Sequence, residues 1–210
     1  PPRRVADRLD LPTPEPRRPP TRPRARARLD PKARYKVPLQ RKDPWRGAKR
    51  PLVVIVQWSD FQCSFCRYAA CAMNEVMKRY KRTVRHVFRH LPLSFHKRAM
   101  PAAEASMAGL RYRGQKGFWR MYRRLFPMKR CPKRTAKIKA TVWLKGPARH
   151  HHHLTDRALR SHARYARVPG RRFRRDMKRH RHRKAVERHM ALAKALGVRA
   201  TPVLFINGRL

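Results

Sequence analysis

The sequence predicts an α/β protein in which a βαβ unit and a closing strand are separated by a long helical insertion. Three observations predict it. The apolar run Leu52-Val53-Val54-Ile55-Val56 leads into Cys63-Ser64-Phe65-Cys66 and then a helical pattern. A second strand-like run, Val84 to Phe88, follows that helix. Far downstream, Gly197-Val198-Arg199-Ala200-Thr201-Pro202 introduces Val203-Leu204-Phe205-Ile206.

The elements follow in order. Residues 1–33 hold Pro12, Pro14, Pro16, Pro19, Pro20 and Pro23 and an alternating Arg run from Arg22 to Arg28, which predicts a stiff, charged, disordered linker. The folded domain is expected over 34–210. Tyr35 to Leu39 reads as a short edge strand, with Pro38 limiting its pairing. Leu52 to Trp58 is apolar without alternation, the pattern of a strand buried on both faces. Phe65, Ala69, Met73, Val76, Met77 and Tyr80 recur at helical spacing over 64–80, and Val84 to Phe88 completes the βαβ unit.

From about 97 to 196 the pattern is mostly helical. Met100 to Leu110 is alanine-rich, and Gly117-Phe118-Trp119 opens a further helix through Met121, Tyr122 and Leu125. Thr155-Asp156 is a helix start for Ala158 to Ala166, and a long helix covers Arg183 to Leu196 and stops at Gly197. Residues 127–153 form a basic, irregular insert with Cys131, Trp143 and the run His150 to His153. Ile206-Asn207-Gly208-Arg209 reads as a strand entering a hairpin turn whose return strand is missing. The first residue is Pro1, so a processed or incomplete chain is expected and the lack of a visible signal peptide has little weight.

Composition alone points elsewhere. The 210 residues carry 57 Lys and Arg against 11 Asp and Glu, a formal charge of +46. That balance, with few large apolar residues, is typical of disordered or nucleic-acid-binding chains. The ordered motifs argue against disorder. The charge is spread through tail, helices and insert, with no recognisable nucleic-acid motif, so a solvated, self-repelling surface is expected, with non-specific polyanion binding at low salt. No stretch approaches the roughly 20 apolar residues of a membrane span.

Cys63 and Cys66 carry the chemistry. Two cysteines separated by two residues, where a strand ends and a helix begins, form a redox pair: unpaired helix amides and the helix dipole stabilise a thiolate there. A structural zinc would need two further ligands from Cys71, Cys131 or a histidine, and no second CxxC exists. Cys71 and Cys131 are expected to be ordinary thiols, although four cysteines permit three pairings. His150 to His153 are read as a low-complexity run and not a metal site. His90 and His96 are read as packing or surface residues, and Phe118, Trp119, Tyr122 and Phe126 as core.

Taken together, Ser59-Asp60-Phe61-Gln62-Cys63-Ser64-Phe65-Cys66, the segment Phe88 to His96, Ala99 to Ala105, Gly117-Phe118-Trp119 and Ala195 to Gly208 resemble the DsbA-like branch of the thioredoxin superfamily, the bacterial envelope disulfide oxidoreductases. The resemblance spans about 34–210. It implies a thioredoxin-like fold with a helical insertion between the βαβ half and the C-terminal ββ(α) half, the last strand and helix being truncated here. It also implies thiol-disulfide exchange in a periplasmic or cell-envelope compartment, without metal or organic cofactor. The partners it implies are client proteins with thiols or disulfides and a separate redox partner.

By the same resemblance, Cys63 would be the nucleophile and Cys66 the resolving thiol. Pro202 would be a cis proline facing the disulfide, and Thr201 would offer backbone hydrogen bonds to an extended client. Ser64 and Phe65 tune the pair; Phe65 cannot stabilise a thiolate as a polar residue can, so a mild oxidant is expected. The family usually carries an acidic residue six positions before the first cysteine. Gln57 stands there instead and cannot relay protons, which predicts slower exchange. The alternatives are a polycationic nucleic-acid-binding protein or a redox-inactive relative that retains the fold.

Overall fold

The computed structural model describes residues 29–126, 131 and 153–210. Most of the Pro/Arg-rich segment expected over 1–33 and of the basic insert expected over 127–153, including His150 to His152, lies outside them. The described residues form strands β1 (Trp45–Gly47), β2 (Val53–Ser59), β3 (Val84–His90) and β4 (Val203–Ile206). The helices are α1 (Ser64–Tyr80), α2 (Ala99–Leu125), α3 (Asp156–Tyr165), α4 (Gly170–Lys178) and α5 (Arg183–Ala195).

The sheet order is β1-β3-β2-β4. The central pair β2 and β3 is parallel, joined by α1, and β1 and β4 are antiparallel edges. This is a thioredoxin-like α/β fold whose βαβ half is followed by helices α2 to α5 before the closing strand. The pleat sorts each central strand into two faces. Val56, Trp58 and Val87 pack with Ala193, Val198 and Phe205 on the α5 side. Ile55 and Val84 meet Met73 and Met77 of α1, and Phe88 joins Phe61, Phe118, Tyr122 and Phe126 beneath the CxxC segment. In that aromatic cluster Phe61 lies 4.8 Å from Phe126 and 5.4 Å from Phe88 between ring centroids. Each such fully buried side chain stabilises the fold by about 1.5–3 kcal/mol.

Two expectations need correction. Tyr35 to Leu39 is not a strand: Tyr35 makes one backbone bond, to the Gly208 carbonyl at 2.7 Å, and Arg34 bridges Arg209. Pro38 has no N–H to extend that pairing. The edge strand is β1, which runs antiparallel to β3 with Trp45 opposite Val87. Secondly, Cys71 and Cys131 are not free thiols but form a disulfide, with Cα atoms 5.7 Å apart. The chain beyond α2 returns Cys131 to the buried side of α1, a contact across 60 residues that spacing alone does not encode.

Local sequence explains the element ends. Gly114 (φ 58°) breaks α2 between the two helices expected there, a backbone conformation glycine adopts without Cβ strain. Thr155 caps α3 by accepting a hydrogen bond from the Ala158 amide. At the end of α5, Gly197 is left-handed (φ 77°), and the amides of Gly197 and Val198 bond to the Lys194 and Ala193 carbonyls. This Schellman turn aims the chain towards Thr201-Pro202. Asn207 and Gly208 both have positive φ, and Ile206 and Arg209 exchange backbone bonds across them, as the hairpin reading anticipated.

Acidic residues are scarce, and buried ones tie elements together: Asp43 joins the insertion to the sheet, while Asp176 and Glu104 join helices within the insertion. Asp43 accepts from Arg89 at 2.7 Å and lies 3.3 Å from His189 of α5, while Arg89 covers Trp58. Burial acts to raise the Asp43 pKa, but the hydrogen bonds from His189 and Arg89 outweigh it and hold the carboxyl below its usual value. Asp176 joins Tyr112 (2.6 Å) and His182 (3.2 Å), and Glu104 lies near His180 and Arg183.

Candidate active site

Cys63 and Cys66 sit where β2 runs out and α1 begins. Cys63 occupies the N-cap of α1, with extended backbone (φ −73°, ψ 125°) and no side-chain cap bond. Its sulfur therefore faces helix amides with no intrahelical acceptor. Cys66 lies one turn further in, on the buried stripe that continues through Ala70, Met73 and Met77. Both thiols are free; Cys63 retains 8% exposure and Cys66 none.

Their environments drive the two sulfurs apart. The Cys63 pKa is lowered to about 6, chiefly by a hydrogen bond from the Cys66 thiol. Backbone amides of Cys66 and Phe65 add to this, and burial opposes it. Cys66 is pushed well up, first by burial and then by the neighbouring Cys63 sulfur. The pair thus has one sulfur charged near neutral pH and one that keeps its proton, the division of labour that disulfide exchange requires.

Opposite the pair, the Thr201–Pro202 peptide is cis, and the Thr201 carbonyl lies 3.7 Å from the Cys63 sulfur, which donates to it as a thiol. Pro202 leads directly into β4, whose pairing with β2 (Val203 opposite Trp58) sets that approach. Ser64 is exposed at the first turn of α1. Phe65 is half exposed beside Cys63 and offers an apolar surface. Gln57 is fully buried: its side-chain amide donates to Ser59 Oγ (3.3 Å), and its carbonyl oxygen meets His86 Nε2 (2.9 Å). The structure thus gathers Cys63, Cys66, Thr201, Pro202, Ser64 and Phe65 at one end of the sheet, with Gln57 beneath.

Other residues join them that the sequence alone did not single out. The Asp60 amide donates to the Cys66 sulfur at 3.4 Å, while its carboxylate accepts from the Leu93 amide (2.9 Å) and meets His96 Nδ1 (2.7 Å). His96, expected as a packing or surface residue, therefore helps fix the loop under the cysteines. His90 is fully buried, 3.3 Å from Ser106 Oγ and stacked on His189. Among the described residues, no cluster of three or more His, Cys, Asp or Glu is placed to hold a metal ion.

The family model described as Thioredoxin matches residues 40–210. Among solved structures, oxidised BdbD from Bacillus subtilis superposes with a TM-score of 0.64 at 17% identity, covering 84% of this chain and 85% of that one. Alpha-DsbA1 from Wolbachia pipientis gives 0.58 at 19% identity, covering 81% and 76%. A periplasmic thioredoxin-like protein from Salmonella enterica serovar Typhimurium gives 0.55 at 18% identity, covering 79% and 78%. Among curated proteins, Na(+)/H(+) antiporter NhaA 3 from Salinispora tropica is 39% identical over 82 residues. That stretch is 39% of this chain and only 12% of the antiporter's length.

Proposed function

The chain belongs to the thioredoxin family, and from that premise we propose that it is a thiol-disulfide oxidoreductase acting on protein clients through Cys63 and Cys66. The observation that carries this reading is the asymmetric pair: a helix-cap sulfur with a pKa of about 6 beside a buried sulfur held as a thiol. Starting from the Cys63–Cys66 disulfide, a client thiolate attacks Cys63, the only one of the two sulfurs with exposure. A client–Cys63 bond forms, and Cys66 departs as the leaving sulfur. A second client thiolate then attacks the client sulfur of that mixed disulfide and expels Cys63 as a thiolate. The client loses two electrons to form its disulfide and the protein gains them as a dithiol. One client proton goes to Cys66, and the other, with Cys63 left as a thiolate, goes to solvent.

The same steps run in reverse for reduction. A Cys63 thiolate favours the oxidising direction because it stabilises the dithiol form. Lowering this pKa from 9.0 to about 6 favours reduced protein about tenfold at pH 7, or about 30 mV. Phe65 places no polar group beside the sulfur, in keeping with a mild oxidant. The Thr201 backbone and β4 would align an extended client segment, with Phe65 receiving an apolar side chain.

An oxidising cell-envelope compartment suits this activity. The Cys71–Cys131 disulfide supports it, since such bonds persist where thiols are not kept reduced. Among the described residues, no helix is long and apolar enough to cross a membrane. The test is disulfide exchange with a model dithiol peptide. Cys63→Ser should abolish it, and exchange that survives this substitution would end the reading.

A further inference from the structure

We propose that the groove between the start of α2 and helices α3 and α4 is a client-docking site, which takes an acidic segment bearing a large apolar side chain from the residues that flank a client cysteine. This rests on the disulfide-exchange reading above and names the class of client.

Local sequence builds the groove. Helix α3 buries Leu159 and Ala163, and α4 buries Phe173, while Arg160, Arg174 and Lys178 stay exposed. Leu159 and Phe173 also belong to the main core, so their placement does not depend on a ligand. With Pro101 and Met177 they form the apolar lining of an open cavity of about 430 Å³. Clefts of about 300–1,000 Å³ commonly hold ligands.

The same cavity is ringed by Arg160, Arg174 and Lys178, and among the described residues no carboxylate pairs with any of them. Asp156, the one acidic residue of the lining, is taken by Arg98, and His180 lies 3.1 Å from Glu104. Three uncompensated cations around an apolar floor complement carboxylates attached to an apolar body. Positive charge alone does not single the groove out. The cavity lined by Arg46, Lys78, Lys81 and Arg123 is as basic, but Met77 is its one large apolar side chain.

The position of the groove points to a client segment. Arg98 lines it, and the Arg98 amide donates to Gln62 Oε1 at 2.7 Å, one residue before Cys63. The groove is thus bonded to the segment that carries the reacting sulfur, and residues flanking a client cysteine held at Cys63 come within its reach. An apolar side chain on the floor would leave water, and the exposed rim cations would steer the acidic neighbours. A second copy of this chain is a poor occupant, because at +46 two copies repel.

The test uses reduced protein and peptides whose cysteine is a mixed disulfide with thiopyridine. The Cys63 thiolate attacks the peptide sulfur, the peptide–Cys63 bond forms, and thiopyridone departs with the electron pair and is read by absorbance. One peptide carries Glu-Phe-Glu on either side of the cysteine, a second Gln-Phe-Gln and a third Glu-Ser-Glu. At low salt the Glu-Phe-Glu peptide should react with a KM about tenfold below that of either other peptide.

Arg160→Gln combined with Arg174→Gln should erase the advantage over Gln-Phe-Gln and leave kcat unchanged. Arg79→Gln combined with Arg82→Gln removes the same charge near the far end of α1 and should leave the advantage in place. If the groove pair keeps the advantage, or the distant pair erases it equally, the preference is only the field of a highly charged chain and the proposal fails. Binding of dodecanoate that depends on Arg160 and Arg174, with no preference among the peptides, would give the groove to a small amphiphile and overturn the proposal. No thiopyridone release from any peptide by the wild type would instead overturn the oxidoreductase reading, and this inference with it.

Discussion

Replacing Cys66 by alanine removes the hydrogen bond that contributes most to lowering the Cys63 pKa, and its consequence can be worked through. With a pKa of about 6, Cys63 is about 90% thiolate at pH 7, against about 1% for a thiol at 9.0. Low-pKa thiolates are intrinsically weaker nucleophiles; a Brønsted slope of about 0.4–0.5 over this interval lowers reactivity about 20-fold. The net gain at pH 7 is then only about fourfold over an ordinary thiol, so the position of the pH midpoint is the sharper readout. A hydrogen bond to a charged group is worth about 1.5–3 kcal/mol, or about one to two pH units. In Cys66→Ala, the iodoacetamide alkylation midpoint of Cys63, read by mass spectrometry, should rise from about 6 to about 7–8. Cys66→Ser retains a hydroxyl donor and should fall between. A wild-type midpoint near 9, or one unchanged in Cys66→Ala, would refute the assignment of that bond.

The remaining predictions concern stability. Asp43→Ala leaves Arg89 buried without its carboxylate and should cost about 3–5 kcal/mol in urea unfolding; a loss below about 1 kcal/mol would show the pair to be dispensable. Burial holds His86 and His90 neutral, their folded pKa values well below 6.5, so the unfolded chain gains protons first as pH falls. Their contribution is complete above about 6.5 and is lost below it, with an expected slope of about 2.7 kcal/mol per pH unit for the two. Asp43 adds a further loss only below about 4, as pH falls through its depressed value. A flat urea stability profile between about pH 6.5 and 5 would contradict the neutral-histidine assignment. Replacing both Cys71 and Cys131 by alanine opens a loop of 60 residues and should destabilise by up to about 4 kcal/mol, read as a lower urea midpoint.

The βαβ half was legible because its signals are local. Helix α1 spans 64–80 as the spacing of Phe65, Met73, Val76 and Met77 predicts, and the Asn207-Gly208 turn follows from two residues. The CxxC pair was legible for the same reason: its chemistry depends on where the strand meets the helix. The Cys71–Cys131 bond was not, because it depends on the path of the chain between two distant segments. The polar contacts of Gln57 beneath the cysteines were hidden differently. Reading Leu52 to Trp58 as uniformly apolar overlooked the alternation of Gln57 and Ser59 on one face, and His86 joins them only through the parallel register of β2 with β3. Asp60 and His96, too, meet only when the segment after β3 folds back beneath the cysteines. The residue pattern points to Tyr35 to Leu39 as the edge strand, but beyond Tyr35 that segment pairs with no strand, whereas the short β1 is held by Trp45 to Gly47 pairing with β3.

The most direct test of the central claim is to trap the covalent intermediate. Cys66→Ala protein, mixed with a model peptide bearing a disulfide, should accumulate a peptide adduct linked to Cys63, identified by mass spectrometry after proteolysis. Wild-type protein should resolve that adduct and release the reduced peptide. No adduct on Cys63, or adducts distributed equally over the other cysteines, would contradict the assignment of Cys63 as the exchanging sulfur at the cap of α1 and of Cys66 as the thiol that resolves it.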